Sequence, residues 1–183
     1  MIDFILASAS PRRRDILKKA GYNFIIEPSN VEEVKDTSLD HGGIVKKLAQ
    51  DKAKEVYSRF KKITLAADTI VTFNGMILEK PKSKEQNKEF LRLLSGNVNR
   101  VYTGYCVIKD GVEYSGFDYA DVLFNDLSDE LISEYVEKGL GLDKAGGYGI
   151  QDGYELVRSI VGEYDTVVGL PLKKVKEILE RLL

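Results

Sequence analysis

The sequence predicts an α/β protein built on a mixed, twisted sheet flanked by helices. Strand-like and helix-like hydrophobic patterns alternate along the chain, which is the signature of strands covered by helices. Two dipeptides, Asn74-Gly75 and Asp110-Gly111, sit between β-rich runs and read as tight hairpins, so the sheet cannot be purely parallel. At 183 residues the chain is long enough for one substantial core. The expected organisation is a single domain over residues 1–183, with two lobes.

Each element has its own justification. Ile2–Ala7 reads as a short buried strand, and Pro11–Lys19 as a helix opened by Ser10-Pro11 and stopped by Gly21. Asn23–Glu27 reads as a second strand ended by Pro28-Ser29-Asn30. Ile44, Leu48, Ala49, Ala53, Val56 and Tyr57 recur at helical spacing, which predicts a long amphipathic helix from about Gly43 to Phe60. Ile63–Phe73 and Met76–Leu78 flank the Asn74-Gly75 turn. Ser83-Lys84-Glu85-Gln86 is a capping box for a helix ending at Leu94. Val101–Lys109 and Val112–Phe124 form the long second hairpin, and Ser128 caps a helix that ends near Gly139. After a glycine-rich segment, 139–153, come a strand-like stretch, Tyr154–Val161, a short Val167-Val168 stretch, and a last helix opened by Pro171. Leu172, Val175, Ile178, Leu179 and Leu182 give that helix one apolar stripe.

Composition narrows the function. Hydrophobic residues make up 43% and charged residues 31%, a folded and water-compatible balance. No apolar run reaches the ~20 residues a membrane span needs, and no signal-peptide pattern opens the chain, so a cytoplasmic protein without a membrane partner is expected. Cys106 is the only cysteine and lies in an apolar strand, which marks a buried thiol rather than a nucleophile. With His41 the only histidine, any metal must be held by oxygen. The net charge of −2 gives no basic field for a nucleic acid polymer, whereas a small phosphorylated ligand needs only a local cluster.

That cluster is Ser8-Ala9-Ser10-Pro11-Arg12-Arg13-Arg14. Ser10 can cap a helix, and the free N–H groups and positive dipole of the helix start favour an anion beside two hydroxyls and three guanidiniums. Successive helix residues lie about 100° apart, so the three arginines cannot all face one ligand. An ordinary capped surface helix has the same local pattern. Asp68 is a lone carboxylate in the apolar strand Ala66–Val71, where burial demands a cation, a metal or several donors. Glu32 and Glu33 are loop acids able to complete an oxygen site with it. Lys80 is held extended by Pro81, Lys52 sits on the long helix, and Gln151 in the glycine-rich segment offers both a donor and an acceptor. That segment is neither a dinucleotide fingerprint nor a Walker A loop.

Ser8-Ala9-Ser10-Pro11-Arg12-Arg13, Ala67-Asp68-Thr69-Ile70-Val71, Glu79-Lys80-Pro81, Leu94-Ser95-Gly96, Asp143-Lys144-Ala145-Gly146, Tyr148-Gly149-Ile150-Gln151 and Val167-Val168-Gly169-Leu170-Pro171-Leu172 occur in the order found in the Maf-like nucleotide pyrophosphatases. The chain resembles that family over nearly its whole length. The resemblance implies hydrolysis of a nucleoside triphosphate to the monophosphate and pyrophosphate, in a central cleft of a fold similar to the inosine triphosphate pyrophosphatases. It implies Asp68 as proton acceptor, with Ser8, Ser10, Arg12, Arg13, Lys52, Thr69, Lys80 and Gln151 lining the substrate site. Glu32 and Asp68 would hold a divalent cation, Mg2+ first and Mn2+ or Co2+ next. A homodimer is implied as well.

Arg12, Thr69 and Gln151 resemble the family branch that prefers dTTP and UTP. The 7-methyl-GTP branch carries an aromatic, a glutamine and a glutamate at these positions. A glutamate accepts from guanine's paired donors, whereas an amide matches the acceptor and donor edge of a pyrimidine. A nucleotide-binding regulator of septum formation is the alternative from another class. Two departures stand out: Gly139-Leu140-Gly141 replaces the usual Gly-Glu-Pro, and Asp152 follows Gln151 where glycine is usual.

Overall fold

The computed structural model of the protein describes residues 2–183. The elements are β1 (Phe4–Leu6), α1 (Pro11–Lys19), β2 (Phe24–Ile26), α2 (His41–Phe60), β3 (Thr64–Phe73), β4 (Met76–Leu78), α3 (Lys84–Leu94), β5 (Val98–Lys109), β6 (Val112–Phe124), α4 (Asp129–Glu137), β7 (Val157–Val161), α5 (Tyr164–Val168) and α6 (Leu172–Leu182). Seven strands form one mixed sheet in the order β2-β1-β3-β5-β6-β7, with β4 paired to β3. β1 runs parallel to β2 and β3, whereas β3–β4 and β6–β7 are antiparallel. Both dipeptides make the expected turns. Asn74 and Gly75 have φ of 48° and 78°, and Asp110 and Gly111 have 51° and 79°, the left-handed pairs that match strand twist in a two-residue hairpin.

The chain divides into two compact units. The first holds residues through Thr69, Thr103–Asp118 and Gly169–Leu183, and the second holds Ile70–Tyr102 and Tyr119–Val168. In the first, α2 lays Ala49, Ala53 and Val56 on Ile5, Ala7, Ala66, Cys106 and Ile108. Alanines stand on both sides, Ala49 and Ala53 on the helix and Ala7 and Ala66 on the sheet, and they let the two approach closely. The approach is tightest at Gly104, where a Cβ would lie 2.2 Å from the Val45 carbonyl oxygen. A backbone atom cannot rotate away. Gly104→Ala is therefore expected to cost about 3 kcal/mol or more, lowering the melting temperature by roughly 6–12 °C. Thermal denaturation followed by circular dichroism reads this directly. Cys106 is fully buried, and desolvation pushes its thiol up to about 12, which keeps it protonated and inert at neutral pH.

In the second unit, α3 and α4 pack Leu91, Leu94, Ile132, Tyr135 and Val136 around Val101, Val122, Phe124, Tyr148 and Leu156. Among the described residues, no helix is long and apolar enough to cross a membrane.

Several sequence expectations shift. The Ser83 hydroxyl accepts from Gln86 N–H as a cap should, but the Gln86 side chain accepts from Lys82 N–H, so the reciprocal half of the capping box is not made to Ser83. β5 begins at Val98, three residues before the expected start. The polar Asn-Val-Asn-Arg sequence hides that start, because Asn99 is buried and satisfied by Tyr148 and the Val122 carbonyl. β7 covers only Val157–Val161. Tyr154 instead stacks edge-on against Tyr135, and Leu156 joins the core. Val167 and Val168 close the short helix α5, and the outer residues of the α6 stripe, Leu172 and Leu182, are only half-buried.

Candidate active site

α1 starts where the sequence places it. Ser10 caps it, accepting from Arg13 N–H at 3.4 Å, while Ser10 N–H donates to Ser8 Oγ at 3.2 Å. The three arginines separate as helix geometry requires. Arg14 pairs with Asp15 at 2.9 Å and is 40% exposed. Arg13 turns inward. Its Nε donates to the Gly169 carbonyl at 2.7 Å, and its two terminal nitrogens donate to Ser8 Oγ and Thr69 Oγ1, each at 3.1 Å. One guanidinium thus ties together three segments of the first unit. Burial lowers the Arg13 pKa, the nearby Asp68 carboxylate pulls it back up, and the Arg12 charge adds to the lowering. An arginine stays charged at neutral pH throughout. Thr69 also shares a hydroxyl hydrogen bond of 2.9 Å with Thr103.

Asp68 on β3 is 7% exposed among buried apolar neighbours. Its counterion comes from α2. Lys52 follows Ala49 by three positions and precedes Ala53, so it lies at the margin of the stripe that α2 packs on the sheet. From there Lys52 Nζ donates to Asp68 Oδ1 at 2.6 Å and pairs with Glu33 Oε1 at 2.9 Å. The side chains of Lys52 and Asp68 are 12% and 9% exposed, and that of Glu33 is 52% exposed. One ammonium therefore holds two carboxylates together, one buried and one open to water. The burial cost that made Asp68 conspicuous in the sequence is met by a cation and not by a network of neutral donors.

The acid that meets this pair is Glu33. Its neighbour Glu32 is exposed. Among the described residues no group of three His, Cys, Asp or Glu could hold a metal ion. The donor set still fits Mg2+, which is commonly held by one or two carboxylates together with substrate phosphates.

The other sequence-predicted residues lie in the second unit. Lys80 is exposed just after β4, and Pro81 beside it is buried. The adjacent Glu79 carbonyl accepts from Gly146 N–H at 3.2 Å, in the 3-10 turn Ala145–Gly147. Gln151 is exposed in the glycine-rich segment. Asn87, fully buried on α3, donates from Nδ2 to the Gly147 carbonyl at 2.7 Å and fixes the same turn. Both departures from the family motif converge on Lys144. Its ammonium donates to the Leu140 carbonyl and lies 3.4 Å from Asp152 Oδ2. Position 140 has no carboxylate to offer this lysine; the adjacent Asp143 supplies one at 3.0 Å, and Asp152 a second, more buried one.

Two contacts had little warning in the sequence. Thr103 sits in an ordinary strand run, and Gly169 serves through its backbone carbonyl, 156 residues from Arg13.

A chain from Thermococcus onnurineus named dTTP/UTP pyrophosphatase is 48% identical over 178 residues, covering 96% of both chains. One from Shouchella clausii with the same name is 43% identical over 183 residues, covering 99% of this chain and 96% of its own. A solved nucleoside-triphosphatase / dITP/XTP pyrophosphatase from Mycobacterium abscessus is 14% identical, covers 98% of this chain and 96% of its own, and has a TM-score of 0.45. The model of the family described as Maf-like protein matches residues 3–182. With that match spanning almost the whole length, this chain belongs to the Maf-like protein family.

Proposed function

We propose that the protein hydrolyses dTTP and UTP to the monophosphate and pyrophosphate. The observation that carries this is the buried Asp68–Lys52 pair in the same unit as the serine and arginine cradle, supported by relatives whose names state that activity. A carboxylate held by an ammonium at 2.6 Å is fixed in place, as a general base must be.

Water attacks the α-phosphorus, forming a new P–O bond while the bond to the bridging oxygen of the departing pyrophosphate breaks. Asp68 takes the proton that water loses. Negative charge grows on the leaving group, and Lys52, Lys80 and Arg13 are the cations assigned to it. Lysines act there as movable point charges, whereas Arg13 presents a fixed fork. The Ser8 and Ser10 hydroxyls bind phosphate oxygens beside the positive end of the α1 dipole. A divalent cation would be held by Asp68 with Glu33, in preference to Glu32, because Glu33 already reaches the cation on Asp68. When bound, it would supply Lewis-acid stabilisation of charge on the phosphoryl oxygens. Arg12, Thr69 and Gln151 are assigned to substrate choice.

The test is incubation with a nucleotide panel and Mg2+, with pyrophosphate and orthophosphate measured separately. One pyrophosphate per turnover is expected, with dTTP and UTP preferred over GTP, CTP and 7-methyl-GTP. Release of orthophosphate alone, or preference for 7-methyl-GTP, would overturn the reading.

A further inference from the structure

Gln151 is exposed, yet the backbone on either side of it is unusually well held. Tyr135, on α4, is fully buried and its hydroxyl faces the glycine-rich segment. It donates to Asp152 Oδ2 at 2.6 Å and accepts from Gly149 N–H at 3.0 Å. The same Asp152 oxygen lies 3.4 Å from Lys144 Nζ, and Lys144 and Asp152 are only 11% and 10% exposed in their side chains. Gly149 is the residue these groups close around. A Cβ there would lie 2.6 Å from Asp152 Oδ2 and 2.7 Å from Lys144 Cε. Asp152 N–H also returns to the Gly149 carbonyl at 3.3 Å, so residues 149–152 form one closed turn. Burial raises the Tyr135 pKa, with the Asp152 carboxylate adding to the shift, and the phenol stays a donor at any ordinary pH.

We propose that Tyr135, Asp152 and Lys144 form a clamp that positions Gln151 to read the pyrimidine base, with Asp152 the central positioning residue. The inference rests on the substrate reading above. An amide distinguishes one base edge from another only when its plane is held. Its donor and acceptor ends are nearly the same size, and a side chain free to turn over accepts either pattern. One hydroxyl, that of Tyr135, holds the turn at both residue 149 and residue 152, and Lys144 braces it again at residue 152. Gln151, between them, has its starting geometry set without any group of the clamp touching the nucleotide.

The experiment compares wild type with Asp152→Asn, Tyr135→Phe and Gln151→Ala. Steady-state kinetics are measured on dTTP and GTP with Mg2+, and binding of the same two nucleotides is measured by calorimetry in EDTA. Asp152→Asn and Tyr135→Phe are expected to raise KM for dTTP. They should lower the dTTP-to-GTP ratio, in kcat/KM and in affinity, about tenfold, with kcat changed less than about threefold. Asp152→Asn added to Gln151→Ala should then bring no further loss of selectivity, because the two residues act as one device. The clamp is overturned if selectivity stays at the wild-type value in both single variants. It is equally overturned if both nucleotides lose affinity in proportion, as loosening of the unit would cause, or if wild type binds them equally. Wild type that binds dTTP selectively without turning it over would sink the hydrolytic function and leave the clamp standing.

Discussion

Asp68→Asn is expected to lower kcat by roughly a thousandfold while leaving the protein folded. The size follows from the role. A positioned general base is worth about 10²–10⁴, and an amide of the same shape cannot take the proton. Retention of the fold follows from Lys52. Deleting one member of a buried ion pair normally costs about 3–5 kcal/mol, because the other charge is stranded. Here the ammonium keeps Glu33 at 2.9 Å, whose carboxylate is half open to water. The charge left behind is still paired. Pyrophosphate release and a melting curve, measured on the same preparation, separate the two effects. Turnover within a few-fold of wild type would remove Asp68 from the mechanism; a collapsed melting curve would show that Glu33 does not compensate.

Arg13→Lys is the second large effect, and it strikes stability and activity together. The guanidinium makes three hydrogen bonds, to Gly169, Ser8 and Thr69. Lysine cannot reproduce that fork, although it keeps the charge. Hydrogen bonds from charged donors are worth about 1.5–3 kcal/mol each, and a lysine that recovers part of the set leaves a net loss of about 2–3 kcal/mol. In a chain of this size that lowers the melting temperature by roughly 4–12 °C. Removing one oriented donor from a site where charge develops costs about 10²–10³ in rate, so kcat/KM should fall about a hundredfold. Differential scanning fluorimetry and kinetics on dTTP read both. An unchanged melting temperature would mean that the three segments are held together by something other than Arg13.

The parts of this protein that its sequence declared are those decided locally. Ser10-Pro11 and Gly21 fixed both ends of α1, and Asn-Gly and Asp-Gly fixed two turns, because caps and primed turns involve residues within four positions of one another. Asp68 was conspicuous because a carboxylate in an apolar strand has few affordable surroundings. Other features depend on residues that meet only after folding. Glu32 and Glu33 are interchangeable in a loop without periodicity, and only the reach of Lys52 from α2 separates them. Tyr154 has the look of a strand residue, but its ring is needed against Tyr135. The same Tyr135 decides the surroundings of Asp152, which in the sequence was only a break in a motif. Helix geometry required the three arginines to part without saying which one turns inward, and the bond of Arg13 to a carbonyl near the other end of the chain has no local signature.

The close contact at Gly104 has an implication for how this enzyme tolerates change. Val45, whose carbonyl touches Gly104, lies seven residues before Lys52, or about two helical turns and 10 Å along α2. The contact sets the height at which the helix rests, and so the height of the ammonium above Asp68. A strand glycine with no chemistry of its own thereby acts as the calibration point for the carboxylate proposed as general base. Random mutagenesis selected for lost turnover should return hits at Gly104, Ala49 and Ala53 alongside Asp68 and Lys52, and the inactive variants at those small residues should still bear every group that touches the nucleotide.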